Sequence, residues 1–212
     1  MLLSRLHHPV RNLGFGVRAG IWFQGCTLYC PGCVSRDTWP FDEKSCCDVT
    51  AVLGWLDALT PLDGITISGG EPTDQPAALR ALLEALSDRG EDADVVMFSG
   101  RPTAQLQRDF PWLWEGLVDL LISEPFEQQH GGDHALRGSA NQQVHRLTDL
   151  AAHRYPESEF DRLYSAQRSQ ISISVDGSSI WMVGIPKAGD LSRLRDSVQA
   201  RGVTLGRTSW LS

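Results

Sequence analysis

A chain of 212 residues, 42% hydrophobic and 21% charged, is long enough for one sizeable core and short for two. Its formal charge of -7 argues against a general nucleic-acid surface, which relies on clustered Lys and Arg, and no apolar run is long enough to offer a membrane span. The opening Met1-Leu2-Leu3-Ser4-Arg5 is broken by Arg5, His7 and His8 before a run of signal length develops, and five cysteines, three of them crowded together, suit a reducing compartment better than a disulfide framework, so a cytoplasmic protein is expected.

In chain order, Arg18 to Gln24 is apolar and aromatic and reads as the first strand, ending at Gly25 in a loop that holds Cys26, Cys30 and Cys33. Asp48 or Thr50 caps a helix over Val52, Leu53, Leu56 and Leu59, which Pro61 ends. Gly64 to Ser68 is a short buried strand running into Gly69-Gly70-Glu71-Pro72. Pro76 opens the clearest helix, with Leu79, Leu82, Leu83 and Leu86 on one face and Gly90 beyond its end. Asp94 to Phe98 is a third strand, delivering Ser99-Gly100-Arg101, and Thr103 to Phe110 a short helix. Leu117 to Ile122 is the fourth strand, delivering Ser123-Glu124-Pro125-Phe126. Gln128 to Asp133 reads as a loop, Asn141 to His153 as a helix, and Tyr155 to Ser169 as a polar connection. Gln170 to Asp176 and Ser179 to Ile185 flank Gly177-Ser178 as a hairpin, followed by a helix over Leu191, Leu194 and Val198 that stops at Gly202.

Alternating strands and helices imply parallel strands joined by crossovers. The cysteine loop, Gly-Gly-Glu-Pro, Ser99-Gly100-Arg101 and Ser123-Glu124-Pro125 each follow such a strand, so all four meet at the carboxyl edge, where active sites of parallel folds assemble. Three thiolates can hold an iron-sulfur cube by three corners and leave one iron open. A zinc site closed by Cys46 or Cys47 would use the same ligand type but leaves Gly69 to Pro72 without a purpose. Cys46 and Cys47 read as two small loop residues. The arginines, spread from Arg5 to Arg207 without a run, read as solvated helix faces and local ion pairs. The six histidines lack paired ligand spacing and read as surface or locally hydrogen-bonded residues. Trp55, Trp112 and Trp114 serve the core or a partner surface, and Trp39 packs beside the cysteine loop.

The Cys-x3-Cys-x2-Cys loop after an aromatic strand, followed by Gly-Gly-Glu-Pro after another strand, resembles the radical S-adenosylmethionine enzymes. Gln24-Gly25-Cys26, Cys30-Pro31-Gly32-Cys33 with Thr38-Trp39, and Leu136-Arg137-Gly138-Ser139-Ala140-Asn141-Gln142 narrow the resemblance to the activating proteins of glycyl radical enzymes, those of anaerobic ribonucleoside-triphosphate reductase above all. Ser123-Glu124 stands where these activases often carry Asp-Gly. The resemblance implies an α/β fold, a partial (β/α) barrel over residues 1–154, with a C-terminal β-hairpin and helix addition over 155–212. It implies a 4Fe-4S cluster on Cys26, Cys30 and Cys33, whose open iron chelates S-adenosylmethionine. Gly69, Gly70, Glu71 and Pro72 would meet the methionyl amino group and Ser99-Gly100 the cofactor. Ser139, Asn141 and Gln142 would offer neutral hydrogen bonds to ribose, adenine or a partner backbone. The radical is borne by the cofactor, so no side chain is assigned as a general base. Expected partners are a glycyl radical enzyme and a flavodoxin or ferredoxin reductant, with no nucleic acid and no membrane. The competing expectations are a radical enzyme acting directly on a small metabolite or peptide, its C-terminal hairpin and helix closing the barrel over that substrate to give an enclosed polar pocket in place of an open, shallow site, and a non-catalytic iron-sulfur electron carrier.

Overall fold

The computed structural model describes residues 1–90, 93–131, 134–160, 171–186 and 189–209. Most of the connection expected between Tyr155 and Ser169 lies outside them.

Six strands form one mixed sheet in sequence order: β1 (Leu3–Val10), β2 (Arg18–Phe23), β3 (Gly64–Gly69), β4 (Asp94–Phe98), β5 (Leu120–Ser123) and β6 (Gln143–Arg146). The central β2 to β5 run parallel, and the edge strands β1 and β6 are antiparallel to their neighbours. Two of these strands correct the sequence reading. β1 precedes the strand expected to be first, and β6 occupies part of the segment expected to be helical from Asn141 to His153, where only α4 (Asp149–Arg154) is a helix. Both are polar edge strands whose conformation is set by pairing with a neighbour rather than by their own alternation.

The helices α1 (Val49–Asp57), α2 (Pro76–Ser87) and α3 (Thr103–Asp109) cover one face of the sheet. Pro76 stands at the start of α2, where a missing N–H costs nothing, and Leu79, Leu82, Leu83 and Leu86 are buried as their spacing requires. They meet Ile21, Phe23, Ile65, Ile67, Val95 and Met97 in the main core, with Trp55, Trp112 and Trp114 packed at its margin. Because side chains alternate along a strand, Trp22, Ser68, Val96 and Phe98 point to the other face. There Val96, Leu120 and Ile122 meet Leu136, Ala151 and Tyr155. The remainder of that face receives a separate hairpin of β7 (Ile171–Asp176) and β8 (Ser179–Gly184), followed by α5 (Asp190–Gln199). Val183 of β8 joins Val10 and Leu13 in a third small core, and the Asn12 amide donates to the Val183 carbonyl at 2.6 Å.

The amino ends of the parallel strands are bound by charge. Arg18, at the start of β2, is fully buried, against the expectation that the arginines sit on solvated helix faces. It donates to Asp94 Oδ1 at 2.9 Å, Thr66 Oγ1 at 2.7 Å and the Ile65 carbonyl at 2.7 Å. Tyr155 Oη donates to Asp94 Oδ2 at 2.7 Å, and Arg154 pairs with the same carboxylate. Burial is the main reason the Tyr155 hydroxyl is held well above its usual pKa. A buried charge survives only when paired and hydrogen-bonded, and here each one is. This end of the sheet is built for stability, which leaves the carboxyl end for chemistry. No helix among the described residues is long and apolar enough to cross a membrane.

Candidate functional site

The cysteine loop leaves β2 at Phe23 and is closed at its base by backbone pairs: Gly25 N donates to the Thr38 carbonyl at 2.7 Å and Cys26 N to that of Trp39 at 3.0 Å. The buried Gln24 amide donates to the Asp37 and Pro40 carbonyls at 3.1 and 2.7 Å, stapling the returning leg. Asp74, just past β3, holds the outgoing leg by accepting from Thr27 N at 2.7 Å and Thr27 Oγ1 at 3.0 Å. The Arg101 guanidinium pairs with Asp74 and donates through Nε to Thr73 Oγ1 at 2.8 Å. Inside the loop Tyr29 turns at φ +48° and sets its ring edge-on to Trp39, centroids 5.0 Å apart. Trp39 therefore does pack beside the cysteines.

Gly-Gly-Glu-Pro fixes the neighbouring wall. A side chain on Gly70 would put its Cβ 2.1 Å from the Gly25 carbonyl oxygen, so only glycine lets this segment lie against the cysteine loop. Glu71 N then donates to that same oxygen at 2.9 Å. The Glu71 side chain is buried and its carboxylate is already engaged: Oε1 accepts from Thr73 Oγ1 at 2.6 Å and Ser99 Oγ at 2.9 Å, and Oε2 from Gly100 N at 2.8 Å. Burial pushes this carboxyl up in pKa, and the donors from Thr73, Gly100 and Ser99 oppose that push. One residue thus ties the loop after β3 to the loop after β4.

The remaining expected residues join the loop after β5 to the 136–142 segment. Ser139 is fully buried and its hydroxyl accepts from Glu127 N at 3.2 Å. Asn141 Nδ2 donates to the Pro125 carbonyl at 2.8 Å, while Gln142 accepts from Gly138 N at 2.7 Å and donates to the Glu124 carbonyl at 3.1 Å. Glu124 sits at φ +82°, a glycine-like conformation, and is held there because its carboxylate accepts from Thr103 N at 2.8 Å at the start of α3. Beside it, His145 Nε2 lies 3.0 Å from Ser123 Oγ and 3.1 Å from Thr103 Oγ1.

Cys26, Cys30 and Cys33 line one cavity of about 920 Å³ with Gly69, Gly70, Glu71, Ser99, Gly100 and Gln142. Pro72, Ser139 and Asn141 are not among its described lining residues; Ser139 and Asn141 instead brace the 125–127 loop. The cavity is partly open, neither enclosed nor flat. Its far wall comes from β8 and the 203–209 segment, including Trp181 and Met182, which carried no signal in the sequence because nothing local to them indicates what they face. Gln24, Asp74 and Arg101 were likewise not singled out as loop anchors.

All five cysteines are free thiols. Burial raises the Cys26 and Cys30 thiols in pKa, with Glu71 contributing in the same direction to both. Thiolates beside a buried carboxylate need positive charge, which iron supplies. Among the described residues no three of His, Cys, Asp and Glu converge on a single-ion position, and the corners of a cube do not ask them to, since each thiolate takes a different iron. The donor set fits a cluster held by three sulfurs.

Residues 12–145 match the family described as a 4Fe-4S single cluster domain. The chain is 31% identical over 151 residues to the anaerobic ribonucleoside-triphosphate reductase-activating protein of Pasteurella multocida, covering 64% of this chain and 90% of that relative. The corresponding protein of Escherichia coli K12 is 27% identical over 152 residues, 66% of this chain and 96% of the relative. A pyruvate formate-lyase-activating enzyme of Streptococcus mutans is 35% identical over 83 residues, 36% of this chain and 32% of the relative.

Proposed function

Because the chain belongs to the 4Fe-4S single-cluster family, together with the anaerobic ribonucleoside-triphosphate reductase-activating proteins, we propose that it is a radical S-adenosylmethionine enzyme that places a glycyl radical on a partner protein. The observation that carries this reading is the shared cavity wall of Cys26, Cys30, Cys33 and Gly69-Gly70-Glu71 at the carboxyl edge of four parallel strands. In this reading residues 1–154 are the core, a partial (β/α) barrel, and 155–212 an addition packed on it.

Cys26, Cys30 and Cys33 would hold the cluster, with S-adenosylmethionine binding beside it. When bound, cluster and cosubstrate would supply one-electron reductive chemistry able to remove a hydrogen atom from a glycine Cα of the partner. The chain's own residues orient and shield. With the Glu71 carboxylate spent on Thr73, Ser99 and Gly100, the Gly69-Gly70 backbone is what meets the methionyl ammonium, and the buried negative charge behind it adds attraction in a medium of low dielectric. Gly100, where a Cβ would lie 2.6 Å from the Leu28 side chain, keeps the wall thin beside the cysteine loop. Gln142, its amide engaged by Gly138 N and the Glu124 carbonyl, braces the cavity edge. Asp74, Arg101 and Gln24 hold the thiols in place as the cluster changes charge. No general base is required. The electron comes from a flavodoxin or ferredoxin, and the reaction belongs in the cytoplasm.

A second reading, a radical enzyme acting directly on a small metabolite or peptide, is favoured by one observation: β8 and the 203–209 segment add lining to the cavity, which stays only partly open. Anaerobic reconstitution, reduction and incubation with S-adenosylmethionine tests both. Formation of 5'-deoxyadenosine with a glycyl radical signal on an added glycyl radical enzyme supports activation. Cosubstrate cleavage with no such signal on the partner rejects it, and no cleavage at all rejects radical chemistry.

A further inference from the structure

The amides that follow Cys26 do not share one acceptor. Those of Leu28 and Tyr29 hydrogen-bond the Cys26 sulfur. Thr27 N, the nearest in sequence, donates instead to Asp74 Oδ2 at 2.7 Å, and the Thr27 hydroxyl donates to Asp74 Oδ1 at 3.0 Å. At the other two thiols the nearby amides do turn to sulfur: Ser35 N donates to Cys33 Sγ at 3.4 Å and Phe126 N to Cys30 Sγ. Asp74 thus claims the donor adjacent to Cys26 and sets a carboxylate beside that thiol.

This carboxylate belongs to a fixed charge pair. The Asp74 side chain is 5% exposed and pairs with the Arg101 guanidinium, whose side chain is 16% exposed. Arg101 is held in turn, with Nε donating to Thr73 Oγ1 at 2.8 Å, its backbone N to Ser99 Oγ at 3.2 Å, and its carbonyl accepting from Glu124 N at 3.0 Å. The loops after β3, β4 and β5 therefore converge on two opposite charges, of which the carboxylate touches the cysteine loop and the guanidinium touches the carboxylate. Net charge, hydrogen bonds to sulfur and exposure set the potential of an iron-sulfur cluster. A carboxylate beside a ligand opposes the arrival of an electron, and does so more strongly in partly buried surroundings than in water. Diverting the Thr27 amide from the sulfur acts in the same direction, and a guanidinium behind the carboxylate acts against it.

We propose that Asp74 and Arg101 are positioning residues that set the reduction potential of the cluster on Cys26, Cys30 and Cys33, Asp74 lowering it and Arg101 limiting how far it falls. The proposal rests on the three-cysteine cluster reading and adds to it a charge pair that touches neither the thiols nor the Gly69-Gly70 backbone. Radical chemistry asks for a strongly reducing cluster, which the carboxylate favours; left unshielded, the same charge would carry the cluster beyond the reach of its reductant. In the reduction itself one electron passes from the reductant to the cluster, and the negative charge gained there faces Asp74.

The test titrates the reconstituted full-length protein, without S-adenosylmethionine, against dithionite in the presence of mediator dyes, reading the cluster by visible absorbance and electron paramagnetic resonance. Asp74→Asn keeps the shape of the side chain and an acceptor for Thr27 but removes the charge. At the wild-type midpoint it should raise the ratio of reduced to oxidised cluster about threefold or more, and Arg101→Met should lower that ratio by a similar factor. Arg101→Lys, which keeps the charge, should lie closer to the wild type than Arg101→Met. Opposite signs identify a charge pair, because losing a mere loop clip from either side would disturb the cysteines in the same way. Shifts of the same sign, or none in either variant, overturn the proposal, as does a lysine variant further from the wild type than the methionine one. Should one variant not take up a cluster, the sign of the other decides; should neither, the pair is only a structural anchor and the proposal falls. A wild type that itself holds no cluster would instead remove the cluster reading beneath it.

Discussion

Gly70 shows how little room the site leaves for error. Its missing Cβ is replaced by the Gly25 carbonyl, a backbone atom that cannot move without dragging Cys26. Gly70→Ala should therefore sharply reduce iron bound after reconstitution. Gly54→Ala, on α1 with no atom within 4 Å of the added methyl, should leave iron content unchanged and add about 0.4–1 kcal/mol of stability. Iron analysis and denaturant unfolding of both variants check the pair, and equal iron content would mean that the two loops do not need their close contact. His145 makes a second prediction. Burial lowers its pKa, with Glu124 opposing, so in the folded protein the imidazole resists a proton that it accepts near 6.5 once unfolded. The unfolded state then binds more protons as pH falls through that value, and stability is lost progressively below it. His145→Asn should narrow the difference in stability between pH 7.5 and pH 5.5, measured by denaturant midpoint; an unchanged difference would remove His145 from the acid response. That Cys26, Cys30 and Cys33 share a cavity with Gly69-Gly70-Glu71 could be read from sequence, because each segment follows a parallel strand. The roles of Asp74, Arg101 and Gln24 could not, since an anchoring side chain is defined by what folds against it.

At the level of elements, the strands buried on both faces could be read directly. β2 to β5 are short, rich in apolar and β-branched residues and bounded by glycine or acidic residues, and α2 announced itself by its leucine stripe and Pro76. The edge strands could not. β1, Leu-Ser-Arg-Leu-His-His-Pro-Val, and β6, Gln-Val-His-Arg, have no clean alternation because one side of each lacks a strand neighbour, and their pairing with β2 and β5 decides their state. Arg18 is a related case, since a charged residue at the head of a strand looks solvated until Asp94, Thr66 and Tyr155 close around it. Removing the carboxylate by Asp94→Ala leaves that guanidinium buried without its counter-charge and should cost about 3–5 kcal/mol. Denaturant unfolding checks this, and a loss below ~1 kcal/mol would show that the remaining hydrogen bonds suffice on their own.

For the whole molecule, the division of labour runs along the strands. Their amino ends are locked by the Arg18, Asp94 and Tyr155 network, and their carboxyl ends present the cysteine loop, Gly-Gly-Glu and Ser99-Gly100 to a common cavity. Helices α1 to α3 seal one face of the sheet, and the hairpin and α5 contribute the cavity's far wall over the other. The hairpin and last helix were visible in the sequence, but their place in the cavity wall entered only with the direct-substrate alternative, because the connection to them carries no pattern that fixes where they dock. Radical chemistry in this cavity requires that three thiolates leave one iron free to bind S-adenosylmethionine. Electron paramagnetic resonance of the reduced, anaerobically reconstituted protein, recorded with and without that cosubstrate, tests this most directly. A reduced-cluster signal whose g-values shift on addition is the predicted result, and a spectrum that stays the same at saturating cosubstrate contradicts the account.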